Sequence, residues 1–441
     1  MPLSHLPPLL ISAFAALADW LHQRSAARLP RLLVGMLFAK GRRTVTAWFR
    51  AAGITAAYRP AYTTVRACGR EASHLALSTL HAVRPLLGGG RLTVALDDTP
   101  TPRYGRRVEG CGVHHNPSPG PAGAKFLYGH VWVILAGVAK HPAWGTIALP
   151  LQAQLYCRQA DLQRLPPERG RPFRTKLELA AGQLHWLKPW VDCPGTERWA
   201  VVDGAYAKKP FLGPAHQDGW VVVSRLRKDA ALWSLPEPKK PGQRGPAPTY
   251  GKRRLSLAKR AGHPGGWQQV ECVQHGKKVT KTLKTFLATW HPAGGVIRVV
   301  LVKEEDDWLP FFCTKPEATP AEVLEAAADR GAIEQTNKDV KEVWGAGQQQ
   351  VRNLQSNEGC FNLCLWMYSL VEAWAWDKAD EQLVDRSACP WDRAERRPSH
   401  PDKRKALQRE VLQGEIQEAL SGRPTRERIR PLAQRLLDLA A

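Results

Sequence analysis

The chain reads as an α/β protein built on a mixed sheet. Short apolar strands follow one another near the start of the middle region. Strands then exchange with helices, and helical stretches bound the block at both ends. A length of 441 residues fits two to three domains. With 44% hydrophobic and 23% charged residues, the composition is that of a folded chain rather than a disordered one.

Residues 1–90 form the first region. Apolar positions recur at helical spacing from Leu9 to Leu21 and from Leu29 to Phe38. Between Asp19 and Glu71 there is no acidic residue but there are ten basic ones, Arg42, Arg43 and Arg50 among them. A solvated helix face would mix the signs, so this asymmetry predicts phosphate contact. Residues 41–53, followed by 58–68, have the pattern helix, Gly turn, helix, which is compatible with groove reading.

A core region is expected over 91–233. Leu92–Leu96 reads as a strand that runs into Asp97-Asp98-Thr99-Pro100. Strands follow at Tyr128–Ala139 and Thr146–Tyr156, then a helix at Lys176–Leu187. A strand at Trp199–Val202 runs into Asp203-Gly204-Ala205-Tyr206, and another spans Trp220–Leu226. Residues 234–294 read as a basic insertion: from Pro236 to Arg260 five prolines and eight basic residues, including Lys252, Arg253 and Arg254, face the single acid Glu237. A second core part is expected over 295–376, with strands at Val296–Val302 and Phe311–Cys313. Thr319 or Pro320 then opens a helix with Glu322 as a first-turn partner, running to Trp344, and apolar helix resumes from Phe361 to Trp376. Residues 377–441 read as a charged helical tail.

The net charge of +23 favours a polyanionic partner and disfavours a generic metabolic enzyme. The apolar runs Leu6–Leu21 and Val131–Ala139 are interrupted or too short to span a bilayer, and no basic residue precedes Arg24 as a signal peptide would require. Nine scattered cysteines predict free thiols in a reducing compartment. Cys360 and Cys364 share a helix face and read as core. His114, His115 and His130 read as structural or DNA-contacting rather than metal-binding. The tryptophans read mainly as core; Trp344 is the one nearest the expected DNA face, with core packing the favoured role.

Three acidic positions stand out. Asp98 ends one strand, Asp203 ends another, and Glu334 lies inside a helix. If the two strands are parallel neighbours, their ends meet, and a helix across the sheet brings the third carboxylate beside them. Three carboxylates repel unless a divalent cation neutralises them, and oxygen-only ligation selects Mg²⁺ or Mn²⁺. Two such ions roughly 4 Å apart serve in-line phosphoryl displacement. Singly, each aspartate is more often a turn residue and Glu334 a solvated one. Arg330 and Lys341, four before and seven after Glu334, share its helix stripe and flank the carboxylate with two cations.

The stretch Arg330 to Lys341 (RGAIEQTNKDVK) resembles the Y-x2-R-x3-E-x6-K signature of DDE transposases of bacterial insertion sequences, with Ala327 where the signature has Tyr. VALDDTPT and AVVDGAYAKKPFL resemble the strands carrying that family's two aspartates. The resemblance covers about residues 30–375. It implies a ribonuclease-H-like mixed sheet flanked by helices, a helical N-terminal DNA-binding region, a basic β-rich insertion and a helical C-terminal region. It implies Asp98, Asp203 and Glu334 as catalytic metal ligands for two Mg²⁺, with Mn²⁺ as a substitute. Asp98 matches the first aspartate better than Asp97, which is expected to point away. Arg330, Lys341 and the basic residues above are the expected DNA contacts. The implied activity is cutting transposon ends and joining 3′-OH ends to target double-stranded DNA, by a homodimer on DNA, in the bacterial cytoplasm at the nucleoid. The competing readings are a purely hydrolytic nuclease and a domesticated DNA-binding protein without catalysis.

Overall fold

A computed structural model describes residues 5–56, 58–116, 123–239, 245–387, 391–393 and 395–421, and eight positions between 425 and 437. Residues 240–244 of the basic insertion, Cys389 and much of the extreme C-terminus lie outside the described residues.

Six helices come first: α1 (Pro8–Ala18), α2 (Gln23–Ala26), α3 (Leu29–Phe38), α4 (Val45–Ala51), α5 (Tyr58–Arg70) and α6 (Ala72–Val83). Thr44 caps α4, its hydroxyl accepting from Ala47 N at 3.2 Å, and Gly53 makes the turn after it at φ +66°. The helix, Gly turn, helix pattern is therefore present, although Trp48 and Phe49 of α4 are fully buried.

The strands are β1 (Arg91–Pro102), β2 (Gly112–His115), β3 (Phe126–His141) and β4 (Gly145–Tyr156). After α7 (Gln159–Leu162) and α8 (Lys176–Val191) come β5 (Glu197–Val202), α9 (Lys209–Gln217), β6 (Val221–Arg225), β7 (Leu232–Trp233) and β8 (Arg254–Leu255). Then follow α10 (Leu257–Gly262), β9 (Gln268–Gln274), β10 (Lys277–Trp290), β11 (Gly295–Lys303) and β12 (Trp308–Cys313). All twelve belong to one sheet, in the order β2-β3-β1-β5-β6-β12-β11-β10-β7-β8, with β4 on β3 and β9 on β10. β1 runs parallel to β5, and β5 to β6; the other pairings are antiparallel. The insertion is thus tied into the sheet: β7 and β9 both pair with β10, which pairs with β11.

The last helices are α11 (Pro320–Asp329), α12 (Gly331–Val343), α13 (Leu354–Ala375), α14 (Asp380–Leu383) and α15 (His400–Leu420). Thr319 and Glu322 cap α11 reciprocally, as their spacing predicts. The single helix expected up to Trp344 is instead two. It breaks at Arg330–Gly331, where glycine carries the weakest helix propensity in the segment and Ile333 N bonds back only as far as Arg330 O.

Helix α13 is buried nearly all round, between β4 and the N-terminal helices. It crosses α5 backbone to backbone: a Cβ on Gly69 would fall 1.8 Å from Gln355 O, and one on Gly359 2.0 Å from Val65 O. Its polar side chains serve strand β4. Asn362 receives from Ala153 N and donates to Ala153 O (2.8 and 3.1 Å), Trp366 Nε1 donates to Leu151 O (2.8 Å) and Ser369 to Pro150 O (2.7 Å). They satisfy backbone groups that an edge strand would leave open.

The charged tail has a defined structural role. Arg404 of α15 donates to Leu37 O (2.7 Å), Ala39 O (2.9 Å) and Val343 O (3.1 Å), so one buried guanidinium caps the C-terminal ends of α3 and α12. Burial pulls its pKa down to about 9, which leaves it charged at neutral pH. Beside it, buried Glu372 accepts from Lys403 Nζ and from His400 Nδ1, both at 2.6 Å. Trp344 Nε1 donates to His400 Nε2 at 2.7 Å. Trp344 is therefore a core residue, held in this network and away from the surface. The eight described cysteines are free thiols, and Cys360 and Cys364 are fully buried as expected. Among the described residues, no helix is long and apolar enough to cross a membrane.

Candidate active site

The site lies where the pairing of β1 with β5 ends. They are parallel neighbours with a last register pair Leu96↔Val202, so the next residues along the chain are Asp97, inside β1, and Asp203, just past β5. Residues level on adjacent parallel strands face the same side of a sheet, and their immediate neighbours face the other. Asp98 is thus on the side opposite Asp97.

The contacts agree with that register. Asn337 of α12 donates to Asp97 Oδ2 at 3.3 Å. Burial pushes the Asp97 carboxyl up to about 6; the Arg330 charge pulls against this, while Asp98 and Glu334 add to it. Lys341 is half-buried in the same place, lowered by burial with Asp97 opposing. Asp98 meets a different set. Lys176 Nζ, on the first residue of α8, donates to its Oδ2 at 2.6 Å, and Tyr206 donates to its Oδ1 at 3.2 Å. Burial drives the Tyr206 hydroxyl well above its ordinary range, and the charges of Asp98, Asp97 and Asp203 reinforce this.

Arg330 links the remaining carboxylates. Its Nη1 donates to Glu334 Oε1 at 2.7 Å and its Nη2 lies 3.8 Å from Asp203 Oδ1. Asp203 and Glu334 keep 47% and 59% of their side chains exposed, enough for a phosphodiester to reach them. Here the structure departs from the sequence reading. The carboxylate sharing the α12 side with Glu334 is Asp97, and Asp98 is turned toward α8, because the pleat is set by the β1–β5 register.

The expected gathering of three carboxylates around shared ions is also not what the structure contains. Among the described residues, no three His, Cys, Asp or Glu side chains are grouped to hold a metal. A guanidinium contacts both Asp203 and Glu334 instead. The donor set still has the right chemistry, since it is all carboxylate oxygen. Arg330 Nε and Asn337 Oδ1 are buried without a hydrogen-bond partner among the described residues, two unmet polar groups beside these carboxylates.

The flanking residues predicted to meet DNA are mostly at the surface: Arg42, Arg50, Lys252, Arg253 and Arg254 are exposed. Arg43 differs, being half-buried with Nη1 directed at the carbonyls of Gly41 and Glu342. Its backbone receives from Gln349 and donates to Gln348, which ties the loop after α12 to the N-terminal helices. His130 is fully buried beneath Arg103, and burial drives its pKa down to about 3. Sequence reasoning missed Lys176 and Tyr206. Tyr206 stood in the run after Asp203, but nothing local marked Lys176.

Two aspartates that follow the last register pair of parallel strands, facing a glutamate-bearing helix, define a carboxylate site of the nuclease type. The family model described as DDE superfamily endonuclease matches residues 16–291, and the chain belongs to that family. No curated protein matches the chain. The matched segment contains Asp97, Asp98 and Asp203 and ends before Arg330, so the assignment of Glu334 stands on geometry and on its spacing to Arg330 and Lys341.

Proposed function

We propose that this endonuclease is a DNA transposase of an insertion sequence, cutting element ends and joining 3′-OH ends to target DNA. The observation that carries the reading is the placement of Asp97 and Asp203 directly after the last register pair of two parallel strands, on the side of Glu334. The strand order β4-β3-β1-β5-β6, with β5 and β6 parallel to β1 and β3 antiparallel to it, supports a ribonuclease-H-like core. The +23 charge and the exposed Arg42, Arg50 and Lys252–Arg254 support a double-stranded DNA substrate. We assign the acidic set to Asp203, Glu334 and Asp97, in place of Asp98, whose carboxylate is held by Lys176 and Tyr206.

These carboxylates would hold divalent ions, Mg²⁺ with Mn²⁺ as a substitute. Such ions activate an oxygen nucleophile and stabilise the leaving oxygen. The chain's own residues bind and orient: Arg330 and Lys341 present cations beside the carboxylates for the backbone being cut. Action as a dimer on DNA, at the nucleoid in the cytoplasm, belongs to the same reading. A non-cleaving DNA-binding protein is the second reading. It draws on one observation, that Arg330 and Lys176 already answer the charge of Glu334 and Asp98. Gel shift and cleavage on one element-end fragment with Mg²⁺ decide between them. Binding with cutting supports the transposase; binding that never leads to cutting supports the inert form.

A further inference from the structure

The start of β3 carries a surface that the site above does not use. Phe126 and Tyr128 pair with His115 and Val113 of β2, so these four share one face of the hairpin. Phe126 is 66% exposed, and Val113 and His115 are also exposed. On the other side of β3, Arg103 N donates to Tyr128 O and the Tyr128 hydroxyl donates to Gly105 O at 3.3 Å. This lays the 103–107 loop along the same strand, where Tyr104 is 85% exposed. The His115 and Phe126 rings stand perpendicular, with centroids 6.2 Å apart.

The charge around these rings has one sign. Between Thr99 and Tyr128 the sequence has Arg103, Arg106, Arg107 and Lys125 against the single acid Glu109. Glu109 is engaged, pairing with Arg169 and accepting from Leu354 N at 2.8 Å. Arg106, Arg107 and Lys125 are exposed, and among the described residues none of them is in an ion pair. Exposed rings grouped with polar and charged residues mark an interaction site. Rings interleaved with unpaired cations match a nucleotide, whose base stacks on the ring and whose phosphate meets the cation.

The rings lie away from the catalytic carboxylates. Along β3, Phe126, Tyr128, His130, Trp132 and Ile134 alternate to one side, and Ile134 is level with Asp97. His130, Trp132 and Ile134 are buried, so only the Phe126 end of that face is open. Eight residues at about 3.3 Å each place Phe126 about 26 Å from Asp97.

We propose that Tyr104 and Phe126, backed by Arg106, Arg107 and Lys125, stack an unpaired nucleotide of the DNA at a place apart from the bond being cut. The inference rests on the DNA-cutting reading above, and its test separates the two. Full-length wild type, Tyr104→Ala/Phe126→Ala and Arg106→Ala/Arg107→Ala are titrated by fluorescence anisotropy against labelled dT20 and a 20-base-pair duplex. Stacking is tolerant of sequence, so no element end is required. The ring variant should lose about tenfold on dT20 and less than about twofold on duplex. Phe126→Trp with Tyr104 intact should bind dT20 as tightly as wild type. The arginine variant should weaken both DNAs and flatten their salt dependence. All these side chains are exposed, and matching thermal melts confirm folding. Ring variants that bind dT20 like wild type, while wild type still binds and cuts DNA, overturn the inference and leave the nuclease reading intact. Equal loss on both DNAs overturns it in favour of phosphate contact alone. A changed oligomeric state with unchanged DNA binding overturns it in favour of a second copy of the chain as occupant. Wild type that binds neither DNA overturns both.

Discussion

Arg330 Nη1 donates to Glu334 Oε1 at 2.7 Å, one helical turn away, and the same guanidinium reaches toward Asp203. The cation that sits four residues before the glutamate therefore neutralises the acidic site in the absence of anything else. Removing it frees two carboxylates. Arg330→Ala should bind Mn²⁺ more tightly than wild type without DNA, by calorimetric titration, and should cut DNA more slowly because a phosphate-facing cation is gone. Because Glu334 is 59% exposed, its freed carboxylate turns to water, and the melting temperature should move little. Weaker Mn²⁺ binding would show that Arg330 organises the carboxylates rather than occupying them.

Charge removal at the carboxylates separates binding from cutting. Glu334→Gln, Asp203→Asn and Asp97→Asn should bind element-end DNA as wild type does and lose cleavage by orders of magnitude. Asp98→Asn should lose far less. If Asp98→Asn abolishes cutting and Asp97→Asn spares it, the assignment from strand register is reversed.

The exposed basic residues predict a salt signature. Each phosphate neutralised contributes a slope of roughly −0.9 in a plot of log affinity against log salt. Lys252→Ala/Arg253→Ala/Arg254→Ala should flatten that slope by about two to three units. Arg42→Ala/Arg50→Ala should flatten it by about two. An unchanged slope in either variant marks those side chains as solvated rather than DNA-bound.

Buried Glu372 links acid stability to one contact. Burial pushes its carboxyl up, but the charge of Lys403 and the hydrogen bonds from His400 and Lys403 outweigh this and bring it to about 2, from 4.5. A folded-state value below the unfolded one stabilises the fold above pH ~4.5, and that contribution is lost as the pH falls toward about 2. Glu372→Gln leaves Lys403 buried without its counter-charge, which costs about 3–5 kcal/mol. Denaturant melts should show this deficit at pH 7 and a narrowing gap to wild type as the pH falls through that window.

Much of the central sheet is legible in the chain because its strands are apolar runs bounded by turn residues, as at Leu92–Leu96 and Trp199–Val202. Cap chemistry gave the start of α11 through Thr319 and Glu322. Strands β9 and β10 are harder to read. Their partly exposed residues, such as Lys277 and Lys281, dilute the apolar pattern. The break at Arg330–Gly331 is hidden because helical periodicity continues through it. Which of Asp97 and Asp98 faces Glu334 depends on the β1–β5 register, a contact between segments about a hundred residues apart that no local pattern encodes. The same holds for Lys176 and Tyr206, which reach Asp98 from 78 and 108 residues away.

Arg404 caps the ends of α3 and α12 at once, and it stands in α15, after every strand of the sheet in chain order. The glutamate helix is therefore held by a side chain that leaves the ribosome later than the whole sheet, and its seat cannot be finished until α15 has been made. A polypeptide cut short before residue 400 has every strand of the sheet but lacks this fastening for α12. Such shortened chains should accumulate as inert or rapidly degraded protein, however much of the acidic set they contain.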